Sequence, residues 1–464
     1  MENRKKPTRR DFLKLAGAAS GSSILAACAP AQPAATAAPA ATAAPAATAA
    51  PAATAAPAAT AAAVAPAPAT EAVTIDIWEQ QVSIDTSSGV AKAFAEKFPN
   101  ITLNWVPTPL ADTSTKLVAA IAAGNGAPDL AFIQYTDMVN FTLRGGTGIT
   151  DLADLMTSRR GEWVKWCLDL VTTSDGKILG LPTDIGAAAT FYRRSVFDAA
   201  GLPSDPESVA KAMASWDDWL AVATKISEGG KNYLIENATY LFDLLRQQGT
   251  QAYFDDKGAP MVDSEPFVKA ATFTQQVRNA KLDAYSKGGA TDSPAEMQAG
   301  TIGTYNIAAW WDILINIWAP DSVKAGDWGV APLPGGSSAN FGGSYFVIPD
   351  MSTKKEAAWE FISYAVATEE GLSAYLKGGS GKWLPGWKPM YESEIFSSPD
   401  PAYGGQAWLQ IFAAAAETVP VIRTDLNDGI ATEAVNQALA KILEEGADAQ
   451  AALTEANEKI KSQL

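Results

Sequence analysis

Histidine is absent from all 464 residues, and cysteine occurs only twice. Without an imidazole, a Ser-His-Asp triad, a Cys-His pair and a His-ligated zinc site are all excluded. Cys167 lies in Trp163-Val-Lys-Trp166-Cys167-Leu168, which reads as an amphipathic helix with a buried, inert thiol rather than a nucleophile. Its one possible partner, Cys28, has another expected fate, so no intramolecular disulfide is expected. Long hydrophobic runs are also missing: no stretch reaches the roughly 18 uninterrupted apolar residues of a membrane-spanning helix. Positive charge is scarce. The formal net charge is −16, and beyond Cys28 there are 29 basic and 49 acidic residues, a net of −20. Such a surface repels nucleic acid and anionic lipid, so neither is expected as a partner.

The first 28 residues read as an export signal. Arg4, Lys5, Lys6, Arg9 and Arg10 form a basic start, followed by a weakly apolar stretch from Leu15 to Ala27. Thr8-Arg9-Arg10-Asp11-Phe12-Leu13-Lys14 reads as a twin-arginine address, the alternative being a charged leader with two adjacent arginines by chance. Leu25-Ala26-Ala27-Cys28 looks like a bacterial lipobox. Cleavage there would leave Cys28 acylated at a new N-terminus, with enough acyl chains for stable anchoring. An ordinary Ala-x-Ala cleavage site is the alternative. The expected location is the outer face of the cytoplasmic membrane, anchored by lipid.

Residues 33–62 are five tandem copies of Pro-Ala-Ala-Thr-Ala-Ala. Alanine favours helix, but a proline every sixth residue removes a donor and clashes with the preceding turn. With no large apolar side chain to collapse around, residues 29–72 are expected to be an extended tether, reaching at most about 130 Å.

The globular part begins at Val73. Val73–Trp78, Ile101–Trp105 and Asp129–Ile133 read as strands. They alternate with helices over 88–98 and 113–123, the second stopped by Gly124-Asn-Gly126. This is βαβ patterning, and in such sheets ligands bind beyond the carboxyl ends of strands. That nominates Trp78-Glu79-Gln80 and Gln134-Tyr135-Thr136-Asp137. Helices are expected over 216–228, 264–281, 354–377 and 429–463, the last broken at Gly446, with Ala451, Leu453 and Ile460 among the buried positions. Tyr253–Gly258 reads as a hairpin turn; its carboxylates lack the spacing of an EF-hand.

A series of motifs in one order resembles the extracellular solute-binding family to which maltose-binding proteins belong. It runs from Gly124-Asn-Gly-Ala-Pro128-Asp129, through Gly176-Lys-Ile-Leu-Gly180-Leu-Pro182, Phe191-Tyr192-Arg-Arg, Ala200-Gly201-Leu202-Pro203 and Ser215-Trp216-Asp-Asp-Trp219. Ala299-Gly300-Thr-Ile-Gly303, Trp328-Gly329-Val-Ala-Pro332, Phe341-Gly342-Gly343-Ser344-Tyr345 and Ala358-Trp359-Glu360-Phe361 complete it. The resemblance covers nearly all of 73–464. It implies an α/β, two-lobe, periplasmic-binding-protein-like fold with a mainly parallel sheet in each lobe and a hinge. On this reading 73–186 plus 335–378 form the first lobe and 187–334 plus 379–464 the second. It also implies capture of a solute, most plainly a sugar, for an ABC importer, by a monomer that needs no cofactor.

A sugar offers hydroxyls along ring edges and C–H patches on ring faces, so its site needs carboxylates or amides and aromatic planes. The chain has 14 tryptophans, enough to furnish such planes. Trp310-Trp311 sits where the family offers a stacking aromatic; adjacent helix residues do not share a face, so one lining and one core residue are expected. Glu79, Gln80, Tyr135 and Asp137 belong to the strand ends, Asp137 being equally suited to cap the next helix. Asp184 follows the Leu-Pro of the hinge block. Gly343, Ser344 and Tyr345 open a strand at another crossover. Trp383, with Trp387 beyond Pro385, suits a wall. Arg423 suits either hydroxyls or a salt bridge with Asp425 or another carboxylate. The enzymatic alternative is a secreted glycoside hydrolase, for which nothing beyond carboxylates speaks. Iron, a polyamine, a peptide or an organic anion are the other ligands within the same class.

Overall fold

The computed structural model describes residues 71–80, 83, 87–379 and 381–464. The twin-arginine motif, the lipobox with Cys28 and the repeat tether lie outside the described residues. Among the described residues no helix is long and apolar enough to cross a membrane.

Among the described residues seven strands form the framework: β1 (Val73–Glu79), β2 (Ile101–Pro107), β3 (Leu130–Gln134), β4 (Leu181–Arg193), β5 (Thr304–Ala308), β6 (Trp328–Ala331) and β7 (Asn340–Val347). Their order is β2-β1-β3-β7-β4-β5, with β6 also paired to β4. β1 is parallel to both β2 and β3, as the alternation of strands with helices Ser88–Lys97 and Leu110–Ala123 requires. The second helix stops at Gly124, whose φ of 71° is the left-handed conformation that closes a helix C-terminus.

The expectation of mainly parallel pairing holds only in this first part. β7 runs antiparallel to β3 and β4, and β5 and β6 run antiparallel to β4. The reason is β4 itself. It is 13 residues long, buried along most of its length, and pairs with β7 through its first half and with β5 and β6 through its second. Register shifts between Pro182 and Asp184 and between Ile185 and Ala187 bend it midway. At the bend, Gly186 lies against β7 so closely that a Cβ would come within 2.6 Å of the Gly342 backbone. Only glycine permits that approach.

Asp129 shows how the Pro-Asp motif secures the framework. Its carboxylate accepts hydrogen bonds from the Asp76 amide in β1 (2.9 Å), Ser352 Oγ (2.7 Å) and Lys354 Nζ (2.9 Å). Burial alone would raise its pKa, but the Asp76 amide, Lys354 and Ser352 outweigh burial and hold it below the usual carboxylate range. Asp129→Ala is expected to cost about 2–3 kcal/mol, because it strands several donors at once. The urea midpoint should fall with the slope unchanged.

The expected helix over 354–377 is two helices, Lys355–Ala367 and Glu369–Gly378. Thr368 breaks it by taking extended backbone and accepting a hydrogen bond from the Gly371 amide at 3.0 Å, an N-cap that Thr-Glu-Glu-Gly supplies. The C-terminal helices Asp428–Glu444 and Ala449–Gln463 are joined through Gly446 and pack on helix Glu265–Asn279. Ala451, expected inside, is exposed. Asp448 caps the last helix through the Ala451 amide (2.9 Å), a phase that turns Ala452, Leu453, Ala456 and Ile460 inward. At the expected turn, Asp255 Oδ1 accepts from the Lys257 and Ala259 amides.

Candidate functional site

The carboxyl ends of β1 and β3 open onto a cavity of about 330 Å³. Gln80 and Ser83 follow β1, while Phe132 and Gln134 come from β3. Thr183 and Asp184 come from β4, and Gly342, Gly343 and Ser344 from β7, on either side of the bend. Leu110 begins the helix after β2. Trp310, Ile313 and Leu314 form another wall at the start of helix Trp311–Trp318, and Tyr375 and Trp383 complete the lining.

Each aromatic wall is held in place. Trp310 donates its indole N–H to the Phe341 carbonyl at 2.9 Å. Gly342, at φ 118°, lets the backbone pass beneath it, since a Cβ there would lie 2.8 Å from the Trp310 Nε1. Trp383 donates to the Thr183 carbonyl at 3.3 Å and meets Tyr375 edge-on, with ring centroids 4.6 Å apart. Trp311 belongs to the core: it is 7% exposed and packs on Tyr305 and Trp318. Trp310, at the N-cap of this helix, meets Trp311 edge-on with ring centroids 5.4 Å apart, and of the two only Trp310 reaches the cavity.

Among the described residues the polar lining is amide, hydroxyl and a single carboxyl. Gln80 Nε2 donates to Ser83 Oγ at 3.0 Å. Asp184 accepts from Thr183 Oγ1 at 3.1 Å. Burial pushes its pKa up to about 6, against the lowering effect of the Thr183 hydroxyl and the Ser344 amide. Among the described lining residues there is no lysine or arginine. The described lining therefore offers aromatic rings, amides, hydroxyls and a carboxylate.

Of the residues expected at the site, Gln80, Asp184, Trp310, Gly343, Ser344 and Trp383 share this lining. The others stand elsewhere. Glu79 is wholly buried just behind it. Tyr345 is buried with its hydroxyl on the Cys167 carbonyl at 2.9 Å, because β-strand alternation turns it to the opposite face from Ser344. Tyr135 lies near Asp243, Arg246 and Tyr253, and burial raises its pKa to about 12. Asp137 sits in the first turn of helix Tyr135–Leu143 without capping it, its carboxyl raised by burial. Arg423 is tied to the 254–256 turn through the carbonyls of Phe254 and Asp255 and the Asp256 carboxylate, not to Asp425. Cys167 is buried, and burial raises its thiol far above the usual range.

Gln134, nominated with the residues that follow the third expected strand, also lines the cavity. Tyr375 and Thr183 were not nominated. Tyr375 reaches the cavity from a helix that only the Thr368 break orients, and no local pattern reveals that.

Strand ends meeting across a bent crossover to enclose an aromatic and polar cavity define a periplasmic-binding-protein-like receptor for a small solute. A sequence profile described as "Bacterial extracellular solute-binding protein" matches residues 78–372. The chain belongs to that family, whose members act outside the cytoplasm. It is 28% identical over 297 residues to the arabinooligosaccharide-binding protein of Bacillus subtilis, an alignment spanning 61% of this chain and just under two thirds (66%) of that protein. It is 26% identical over 390 residues to the lactose-binding protein of Rhizobium radiobacter, spanning 79% of this chain and 86% of the relative. A binding protein from B. animalis subsp. lactis, solved with β-1,6-galactobiose, superposes with a TM-score of 0.67 at 25% identity, covering 84% of this chain and 98% of its own. The sugar-binding protein MalE of Xanthomonas citri shares the fold, with a TM-score of 0.69 at 19% identity over 84% of this chain and 97% of its own.

Proposed function

We propose that this chain is the substrate-binding lipoprotein of an ABC importer, capturing a neutral sugar or oligosaccharide and delivering it to a membrane permease. The observation that carries this reading is the lining of the cavity. Trp310 offers a plane for a ring face beside the buried wall of Trp383, while Gln80, Gln134, Asp184 and Ser344 suit hydroxyls, and no cation is among the described lining residues. A volume of about 330 Å³ lies at the small end of ligand pockets. The names of the relatives, lactose-binding and arabinooligosaccharide-binding, support a saccharide of this kind.

In this account, residues 73–186 with 335–378 and residues 187–334 with 379–464 are lobes that close over the solute. On these bounds β4 passes from the first lobe into the second at its bend. A ligand bridging both lobes stabilises the closed state by differential affinity, and a permease reads closure as occupancy. Export by the twin-arginine route, acylation of Cys28 and the 29–72 tether hold the receptor at the outer face of the membrane as a monomer.

A thermal-shift screen of the protein with lactose, arabinotriose, β-1,6-galactobiose and maltose tests the saccharide, with spermidine and ferric citrate as controls. At about 100 times its dissociation constant a ligand adds about 2.7 kcal/mol, a shift of several degrees. Stabilisation by a saccharide is expected. Response to a control alone would overturn the sugar reading.

A further inference from the structure

Glu79 ends β1 one residue before Gln80, yet it is wholly buried and takes no part in the lining. Among the described residues its one hydrogen-bonding neighbour is Ser87, equally buried, with Oγ 3.5 Å from Glu79 Oε1, and Oε2 has no partner among them. The same Ser87 Oγ lies 3.0 Å from the hydroxyl of Tyr375, which does line the cavity. Ser87 precedes helix Ser88–Lys97, and Tyr375 belongs to helix Glu369–Gly378, so three elements converge on this chain of hydroxyls.

A serine hydroxyl carries one proton and cannot donate to both neighbours. With Glu79 ionised, Ser87 donates to Glu79 and Tyr375 donates to Ser87. Tyr375 then shows the cavity only lone pairs. With a proton on Glu79, the carboxyl donates to Ser87 and Ser87 donates to Tyr375. The phenolic proton of Tyr375 is then free for a solute. A carboxylate removed from water with no cation beside it is strongly disfavoured, and burial raises Glu79 well above the usual carboxylate range, the Ser87 bond offsetting this only in part.

We infer that Glu79 is held as the neutral acid and is a positioning residue that, through Ser87, makes Tyr375 a hydrogen-bond donor to the saccharide. The inference rests on the saccharide reading above and deepens it. Tyr375 donates where Asp184 accepts, so the cavity discriminates acceptor oxygens of the sugar from its donating hydroxyls. Trp383, edge-on against Tyr375 at 76°, fixes the ring that carries the hydroxyl.

The first readout needs no sugar. Melting temperatures of the full chain and of Glu79→Gln are compared from about pH 5 to pH 8.5, a window lying above the ordinary carboxylate pKa. A carboxyl raised in the fold binds its proton more tightly folded than unfolded, so wild type loses stability as pH rises through this window. The glutamine is always neutral, and its amide donates to Ser87 as the protonated acid does. Its melting temperature should rise relative to wild type as pH increases. Asp184, among the described residues the other acidic group near Tyr375, is common to both proteins and cancels. A difference independent of pH would overturn the inference.

The second readout is calorimetric titration at neutral pH with lactose, arabinotriose and β-1,6-galactobiose. Tyr375→Phe and Glu79→Ala should each weaken binding about three- to tenfold, and Glu79→Gln should restore what Glu79→Ala loses. Full affinity in Tyr375→Phe, or no rescue by glutamine, would overturn the inference. Failure of every probe to bind wild type would instead overturn the saccharide reading, and the melting comparison would still decide the state of Glu79.

Discussion

Trp310→Ala is expected to weaken saccharide binding by about thirtyfold or more, the effect of removing a central aromatic anchor worth about 2 kcal/mol. The indole is part of the cavity wall and is already oriented by its bond to the Phe341 carbonyl. Little ordering is then left for the ligand to impose, so most of the contact energy appears as affinity. The melting temperature of the ligand-free protein should change little, since Trp310 is only partly buried. The neighbouring substitution reverses the pattern. Trp311 is buried among Tyr305 and Trp318, and Trp311→Ala should cost about 3–5 kcal/mol of stability. Calorimetry and urea unfolding on the pair separate the roles; equal effects on both quantities in both variants would contradict the assignment.

Asp184→Asn is expected to raise stability at neutral pH while lowering affinity. Burial raises the Asp184 pKa to about 6. A carboxyl with a raised folded pKa stabilises the fold fully only below its unfolded pKa, and that contribution is lost as pH climbs toward 6. Full linkage for such a shift would be about 3 kcal/mol; partial exposure of the residue reduces this to about 2 kcal/mol. Asparagine carries no such penalty, so its advantage over wild type should grow between about pH 4 and pH 6 and then level off. Binding should move the other way. An ionised Asp184 accepts strong hydrogen bonds from sugar hydroxyls, so wild-type affinity should fall as pH drops below about 6, as the shift from ordinary carboxylate behaviour implies. In Asp184→Asn affinity should be lower and flat with pH. Unaltered affinity would remove Asp184 from the contacts.

Much of the framework was legible in the sequence because it rests on local chemistry. Alternating apolar residues from Val73, the Gly124 stop and the Pro128-Asp129 entry fixed β1, β2 and β3 and the parallel pairing among them. The antiparallel part was not legible. It depends on β4 running through a bend into a second set of partners, and on Gly186 meeting the Gly342 backbone, a contact between residues far apart in sequence. The site divides the same way. Gln80 lies at a strand end that the parallel-sheet rule marks directly, and Trp310 and Trp311 differ by simple helix geometry. Tyr345 is the neighbour of a lining residue and still faces the core, because strand alternation is decided by register. Arg423 suited a sugar by its chemistry, but carbonyls of the 254–256 turn hold it.

The most direct test of solute capture at this cavity is tryptophan fluorescence during titration with lactose, arabinotriose and β-1,6-galactobiose, on wild type and Trp310→Ala. The account predicts a saturable change for at least one saccharide in wild type, with a much weaker response and affinity in Trp310→Ala. Saturable binding of equal strength in both proteins, or no saccharide response beside a clear one to spermidine, would contradict it.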